Sequence, residues 1–126
     1  MLVSYAALVT NAFDDVVHFY GETLGFPVVE EWDRPNGRGR RFDLGGLRLE
    51  ILDNAREREP LSVGAANDRF QIVIEVQDIV QTRSRLAGDF PQPVAVSWGA
   101  RLFQIRDPDG VPVTFLQWDQ SRGDAV

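Results

Sequence analysis

The chain offers few groups for covalent or acid–base chemistry. It has no cysteine and one histidine, His18. The missing cysteines remove thiolate nucleophiles, disulfides, iron–sulfur clusters and cysteine zinc sites together. With a single histidine, no Ser-His-Asp or Cys-His arrangement has supporting spacing. His18 falls off the apolar stripe of its expected helix, so it reads as a solvated residue and not as a general base. Two charged features remain. Glu50 is a carboxylate in an alternating run, where Leu47, Leu49 and Ile51 interleave with Arg48 and Glu50. If buried, such a group pairs with a cation or takes a proton. Arg38, Arg40 and Arg41 form the second feature. They suit either an anion site or a charged hairpin edge that discourages edge-to-edge pairing.

These groups must be placed by the elements around them. At 126 residues, with 44% apolar and 25% charged residues, the composition fits one globular domain spanning 1–126. The net charge of −6 opposes nucleic-acid binding. Met1 to Thr10 lacks the pattern of a signal peptide, and no apolar run approaches the ~20 residues of a membrane span. A cytoplasmic protein without membrane or nucleic-acid partners is expected.

A strand is predicted from Leu2 to Val9. Asn11 is the expected N-cap of a helix, with Asp14 as a weak capping-box partner. Phe13, Val16, Val17, Tyr20 and Leu24 recur at steps of three and four, forming one helical stripe, and Gly25 suits the position past its end. Strands follow at Phe26 to Asp33, Arg40 to Leu44 and Leu47 to Leu52. Asn36-Gly37 is the expected hairpin turn between the first two, because both residues tolerate positive φ. Residues 54–68 read as a linker containing Pro60 and Gly64.

The second half repeats this order. Strands are predicted at Phe70 to Val76, Val94 to Ser97, Arg101 to Arg106 and Val111 to Trp118. Asp78 caps a helix running to about Ala87, and Gly88 lies beyond it. Asp107-Pro108-Asp109-Gly110 is a tight turn. Matching positions lie roughly 65 residues apart, Tyr5 against Gln71 and Glu50 against Thr114. The expected class is α+β, with two βαβββ modules at about 1–53 and 69–119. One helix leaves a four-stranded sheet with a bare face. Two such sheets can form a curled mixed sheet around a pocket.

Two segments carry a family resemblance. Phe19-Tyr20 with Leu24-Gly25-Phe26 resembles the segment after the first strand of vicinal-oxygen-chelate proteins. Trp98-Gly99, Arg101, Phe103 and Asp107-Pro108-Asp109-Gly110 resemble a second segment of that superfamily, which contains glyoxalases, bleomycin-resistance proteins and extradiol dioxygenases. The resemblance extends from Leu2 to Trp118. It implies the fold, and it implies a metal held from the first and fourth strands of each half. It also implies a homodimer, with modules paired within one chain or swapped between two. It does not settle activity, since the fold hosts lyases, isomerases, dioxygenases and binding proteins.

Carried over, the four ligand slots fall on Tyr5, Glu50, Gln71 and Thr114, or on Ser4 or Ala6 if the first strand slips by one residue. Only Glu50 is a good ligand. Gln71 is neutral and weak, Tyr5 would need its proton removed, and Thr114 is poor for any divalent ion. No cofactor is therefore expected. On the pocket face, alternation from Glu50 adds Arg48 and Leu52. The same logic places Arg40, Phe42 and Leu44 there from the neighbouring strand, and Arg101, Phe103 and Ile105 from the second half. Trp32 and Trp98 flank the mouth. The expected ligand-binding set is Tyr5, Trp32, Phe42, Glu50, Gln71, Trp98, Arg101, Phe103 and Thr114. Alternatively, the aromatic members simply fill the core.

This set suits a planar or hydrophobic molecule held by stacking, and the expectation is metal-free sequestration or carriage of such a ligand, as in antibiotic resistance. The alternative is a lyase, isomerase or dioxygenase that uses Glu50, with a divalent metal or as a metal-free general base.

Overall fold

A computed structural model describes residues 3–64 and 69–119. Leu2, expected to open the first strand, and positions 65–68 of the expected linker lie outside these residues. The chain divides into two compact units, 1–65 and 66–126. Each holds a four-stranded sheet and one α-helix, and the first adds a 3-10 turn at Asn54–Arg56.

In the first unit the elements are β1 (Tyr5–Thr10), α1 (Phe13–His18), β2 (Val28–Arg34), β3 (Gly37–Asp43) and β4 (Arg48–Asp53). The sheet order is β1-β4-β3-β2. β1 runs parallel to β4, and the other neighbours are antiparallel. The second unit repeats the plan with β5 (Ile72–Glu75), α2 (Ile79–Arg85), β6 (Val94–Val96), β7 (Ala100–Arg106) and β8 (Pro112–Trp118), in the order β5-β8-β7-β6. The α+β class and the two βαβββ modules are as the sequence implies. No helix among the described residues is long and apolar enough to cross a membrane.

The helical stripe read from the sequence packs as expected. Phe13, Val16, Val17, Tyr20 and Leu24 are all buried, together with Phe42, Leu49 and Ile51 of the sheet. Burying one such side chain contributes about 1.5–3 kcal/mol. The helix itself departs from the regular form expected. After His18 it widens into a π-helical turn, Phe19–Thr23, in which the Leu24 amide donates to the Phe19 carbonyl at 2.9 Å. Gly21 lies in this turn against Phe42, where a Cβ would be 3.1 Å from Phe42 Cε1. The missing side chain lets the ring approach the helix backbone.

Three local expectations need correction or refinement. Ala12, not Asn11, occupies the N-cap position of α1, and no side chain caps it. Asn11 instead accepts a hydrogen bond from Asn54 Nδ2 at 2.9 Å. The β2–β3 loop is Pro35-Asn36, since Arg34 pairs with Gly37. Among the described residues no non-glycine residue has positive φ, and Gly37 lacks it too. Proline's fixed φ starts this turn without any left-handed residue. Pairing between β2 and β3 also shifts between Val28 and Glu30: Val28 faces Phe42, while Glu30 faces the next residue, Arg41. That bulge was not evident from the sequence.

In the second unit, Asp78 caps α2 as expected, accepting from the Gln81 amide at 3.0 Å. The Ile79 amide donates to Gln117 Oε1 of β8 at 2.8 Å, which ties the helix start to the sheet. Ile72, Ile79, Phe103, Ile105, Val113 and Phe115 are buried. Phe103 and Phe115 are cross-strand partners with stacked rings 5.1 Å apart. The tight turn is held by Asp107, whose Oδ1 accepts from the Asp109 and Val111 amides at 2.9 Å each. Gly110 closes it at φ 85°.

Candidate functional site

Register decides which side chains share a face. In the first unit Arg41 lies opposite Glu50, and Phe42 lies opposite Leu49. Glu50 therefore shares its face with Arg41. Phe42 points the other way, fully buried with its ring centroid 6.2 Å from that of Tyr20. The expectation that Arg40, Phe42 and Leu44 join Glu50 is one residue out of step. On a pleated strand, that error moves every side chain to the opposite face.

Around Glu50 the face builds a compact cluster. Glu50 is 8% exposed. Its Oε1 receives Arg41 Nη2 at 3.3 Å, and Arg41 Nη1 donates to Glu30 Oε2 at 2.9 Å. The guanidinium carbon lies 4.1 Å from the Tyr5 ring centroid and 5.9 Å from that of Trp32. Tyr5 is 46% exposed at the start of edge strand β1. Trp32 stands opposite Gly39, where a Cβ would sit 2.7 Å from Trp32 Cε2. The ring thus uses the space a side chain would fill. Tyr5, Trp32 and Glu50, all read from the sequence, come together here. Arg41 and Glu30 were missed as members. Counting outward from a core Phe42 would have placed Arg41 on the Glu50 face.

The arginine run does not form an open anion site. Arg38 pairs with Asp14 and, at 3.6 Å, with Asp53. Arg40 Nε lies 3.1 Å from Glu31 Oε2, and Arg41 meets both glutamates. Two grooves of about 370 Å³ each lie beside Arg38, one reaching Phe13, Trp32 and Arg40 and the other Asn11, Asp15 and Asp53. Neither includes Glu50.

In the second unit Thr114 is 5% exposed. Its hydroxyl donates to Gln71 Oε1 at 2.9 Å and accepts from Gln104 Nε2 at 3.0 Å. Gln104, not Phe103, is the cross-strand partner of Thr114. Phe103 and, by alternation, Arg101 and Ile105 lie on the opposite face, where Phe103 stacks on Phe115. That corrects the second half of the expected pocket face by the same one-residue step. Trp98 is half-exposed in the turn after β6, in an edge-to-face contact with Trp118 at 5.3 Å. It joins neither Thr114 nor Gln71. His18 is exposed, as expected.

The four slots implied for a metal do not fit one. No group of three or more His, Cys, Asp or Glu able to hold a metal occurs among the described residues. Glu50 already faces a guanidinium, whose positive charge repels a divalent cation. The Tyr5 ring lies against the same cation. The Thr114 hydroxyl is committed to two amides. Such a donor set supplies little net charge to compete with metal hydration.

Residues 2–115 match the family model of the Glyoxalase/Bleomycin resistance protein/Dioxygenase superfamily. Among curated proteins, the chain is 28% identical over 115 residues to YraH of Bacillus subtilis (strain 168), covering 81% of this chain and 87% of YraH. Among solved structures it resembles SMU.1112c, with a TM-score of 0.72 at 22% identity, over 92% of this chain and 98% of that one. It also resembles TnmS3, described as an antibiotic binding protein from Streptomyces sp. CB03234. There the TM-score is 0.68 at 18% identity, over 94% of this chain and 97% of that one. These structural likenesses establish the fold alone.

Proposed function

The chain belongs to the Glyoxalase/Bleomycin resistance protein/Dioxygenase superfamily, and from that premise we propose that it is a metal-free binding protein. In this reading it sequesters or carries a small aromatic or hydrophobic molecule, such as an antibiotic. The observation that carries the reading is the pairing of Glu50 with Arg41 beside the Tyr5 ring. A carboxylate held this way is poorly placed to ligate a metal or to accept a substrate proton. It is well placed to orient a ligand that stacks on Tyr5 and Trp32. Within the second unit, Gln71, Gln104 and Thr114 form a linked polar set of their own. TnmS3 shows that an antibiotic-binding protein can have this fold.

A thermal-shift screen tests the proposal. Aromatic natural products are screened beside Zn²⁺, Ni²⁺, Fe²⁺ and Mn²⁺. A ligand present at 100 times its Kd adds about 2.7 kcal/mol to stability, which is easily read as a rise in Tm. At least one aromatic compound is expected to raise Tm while the metals leave it unchanged. The opposite pattern defeats the proposal. The protein is further proposed to act as a homodimer in the cytoplasm. Light scattering checks the dimer, and a monomer at high concentration argues against it.

A further inference from the structure

Building on that binding reading, we infer that the ligand carries a flat positive group, and that Arg41 occupies the place of this group in the free protein. The chemical class is an amidinium, a guanidinium or a protonated aromatic amine. The whole cage belongs to the first unit. Tyr5 offers a ring face 4.1 Å from the Arg41 guanidinium carbon, and Trp32 offers a second ring at 5.9 Å. Glu30 and Glu50 accept at two corners of the plane, at 2.9 and 3.3 Å. Aromatic faces above a planar cation, with carboxylates along its edge, are how proteins hold free cations of this kind.

Charge and burial both favour a cation. Two carboxylates face one guanidinium, so the cage stays negative with Arg41 in place. Beside the cage on this face, Asp43 and Arg48 stand in direct register with opposite charges, and Arg34 lies two residues beyond Trp32. Glu50 is buried, so its attraction for a cation acts in a medium of lower dielectric than water, while Glu30, the second carboxylate, reaches solvent. Arg41 is also an imperfect occupant. Its Nε is buried without an acceptor, and an unmet buried donor is costly. An incoming cation can take over the two carboxylates while Arg41 rotates into water, where its Nε is solvated. The exposure of Tyr5 and Glu30 leaves the cage reachable through a side-chain rotation alone.

The test is calorimetric titration with benzamidine, a flat aromatic cation, and with benzamide, its uncharged counterpart. Arg41→Ala empties the cage. It is expected to bind benzamidine about tenfold more tightly than the wild type, the scale of one charge-assisted hydrogen bond. Benzamide is expected to gain nothing, and R41A/E50Q to lose the benzamidine gain. Should R41A fail to fold, R41M, which keeps an apolar stem but offers Glu50 no donor, replaces it with the same expectation. Equal benzamidine affinity in the wild type and the variant, or an equal gain for benzamide, overturns the inference. Either result leaves the binding reading intact if neutral aromatics raise Tm in the screen. If no aromatic compound binds, charged or neutral, the binding reading itself fails.

Discussion

Arg41 and Glu50 face each other across antiparallel neighbours β3 and β4, with Nη2 3.3 Å from Oε1. Both side chains are largely withdrawn from water, at 14% and 10% exposure. Removing one partner strands the other, a larger loss than removing both. R41A is therefore expected to cost about 2 kcal/mol. R41A/E50Q should recover much of that loss, because no buried charge is left unpaired. Urea unfolding of the wild type and the variants, with unchanged m-values, measures both effects. A double variant as unstable as R41A contradicts this account.

Gly39 accommodates the Trp32 ring directly across the β2–β3 pair. A methyl group at position 39 overlaps the ring, so the indole must move. Gly39→Ala is expected to destabilise by about 1–3 kcal/mol, the usual range for overpacking. It should also change the near-ultraviolet circular dichroism of tryptophan. Pairing it with Trp32→Ala should remove most of the loss. An unaltered spectrum in G39A would show that the ring does not rest there.

Asp107 organises the turn between β7 and β8 by accepting from two amides while 5% exposed. Asp107→Ala strips the acceptor from both donors. A loss of about 2 kcal/mol is expected, from hydrogen bonds to a charged group. The same urea experiment reads it. A change within ±0.5 kcal/mol would mean that the backbone bonds from the Gly110 amide to the Asp107 carbonyl and from the Asp107 amide to the Val111 carbonyl suffice to hold the turn.

Chelation gives a separate check on the metal-free proposal. Dialysis against EDTA is expected to leave Tm and ligand affinity unchanged, since Glu50 is engaged by Arg41. Metal sites couple binding to folding, so a real one would betray itself as a fall in Tm. Such a fall, reversed by one added divalent ion, counts against the proposal.

Much of the architecture is legible from residue pattern. The stripe from Phe13 to Leu24, the Asp78 cap and the Asp107 turn each carry a local physical signal and stand where expected. The faces of β3 and β7 were harder to read. Alternation says that Arg41 and Phe42 point oppositely, but not which of them meets Tyr20. Adjacent arginines at 40 and 41 blur the parity further. The site is partly legible for the same reason: Glu50, Tyr5 and Trp32 share a face, while Phe42 and Phe103 belong to the cores beneath. The π-helical turn and the exchange of Asn36-Gly37 for Pro35-Asn36 leave no trace in periodicity. They depend on how the backbone accommodates its neighbours.

The shift between Val28 and Glu30 does more than bend an edge. It brings Glu30 beside Arg41, Glu31 beside Arg40, Trp32 beside Gly39 and Asp33 beside Arg38. Pairing continued from Val28 without that step would set Val29 against Arg41, Glu31 against Gly39 and Trp32 against Arg38. Glu31 and Asp33 would each face a glycine instead of an arginine, and the indole would lose its berth. One supernumerary amino acid thus works like the key in a spline: it sets the phase at which an entire ribbon engages its neighbour, and without it two acid–arginine pairs and the fit of the indole are lost.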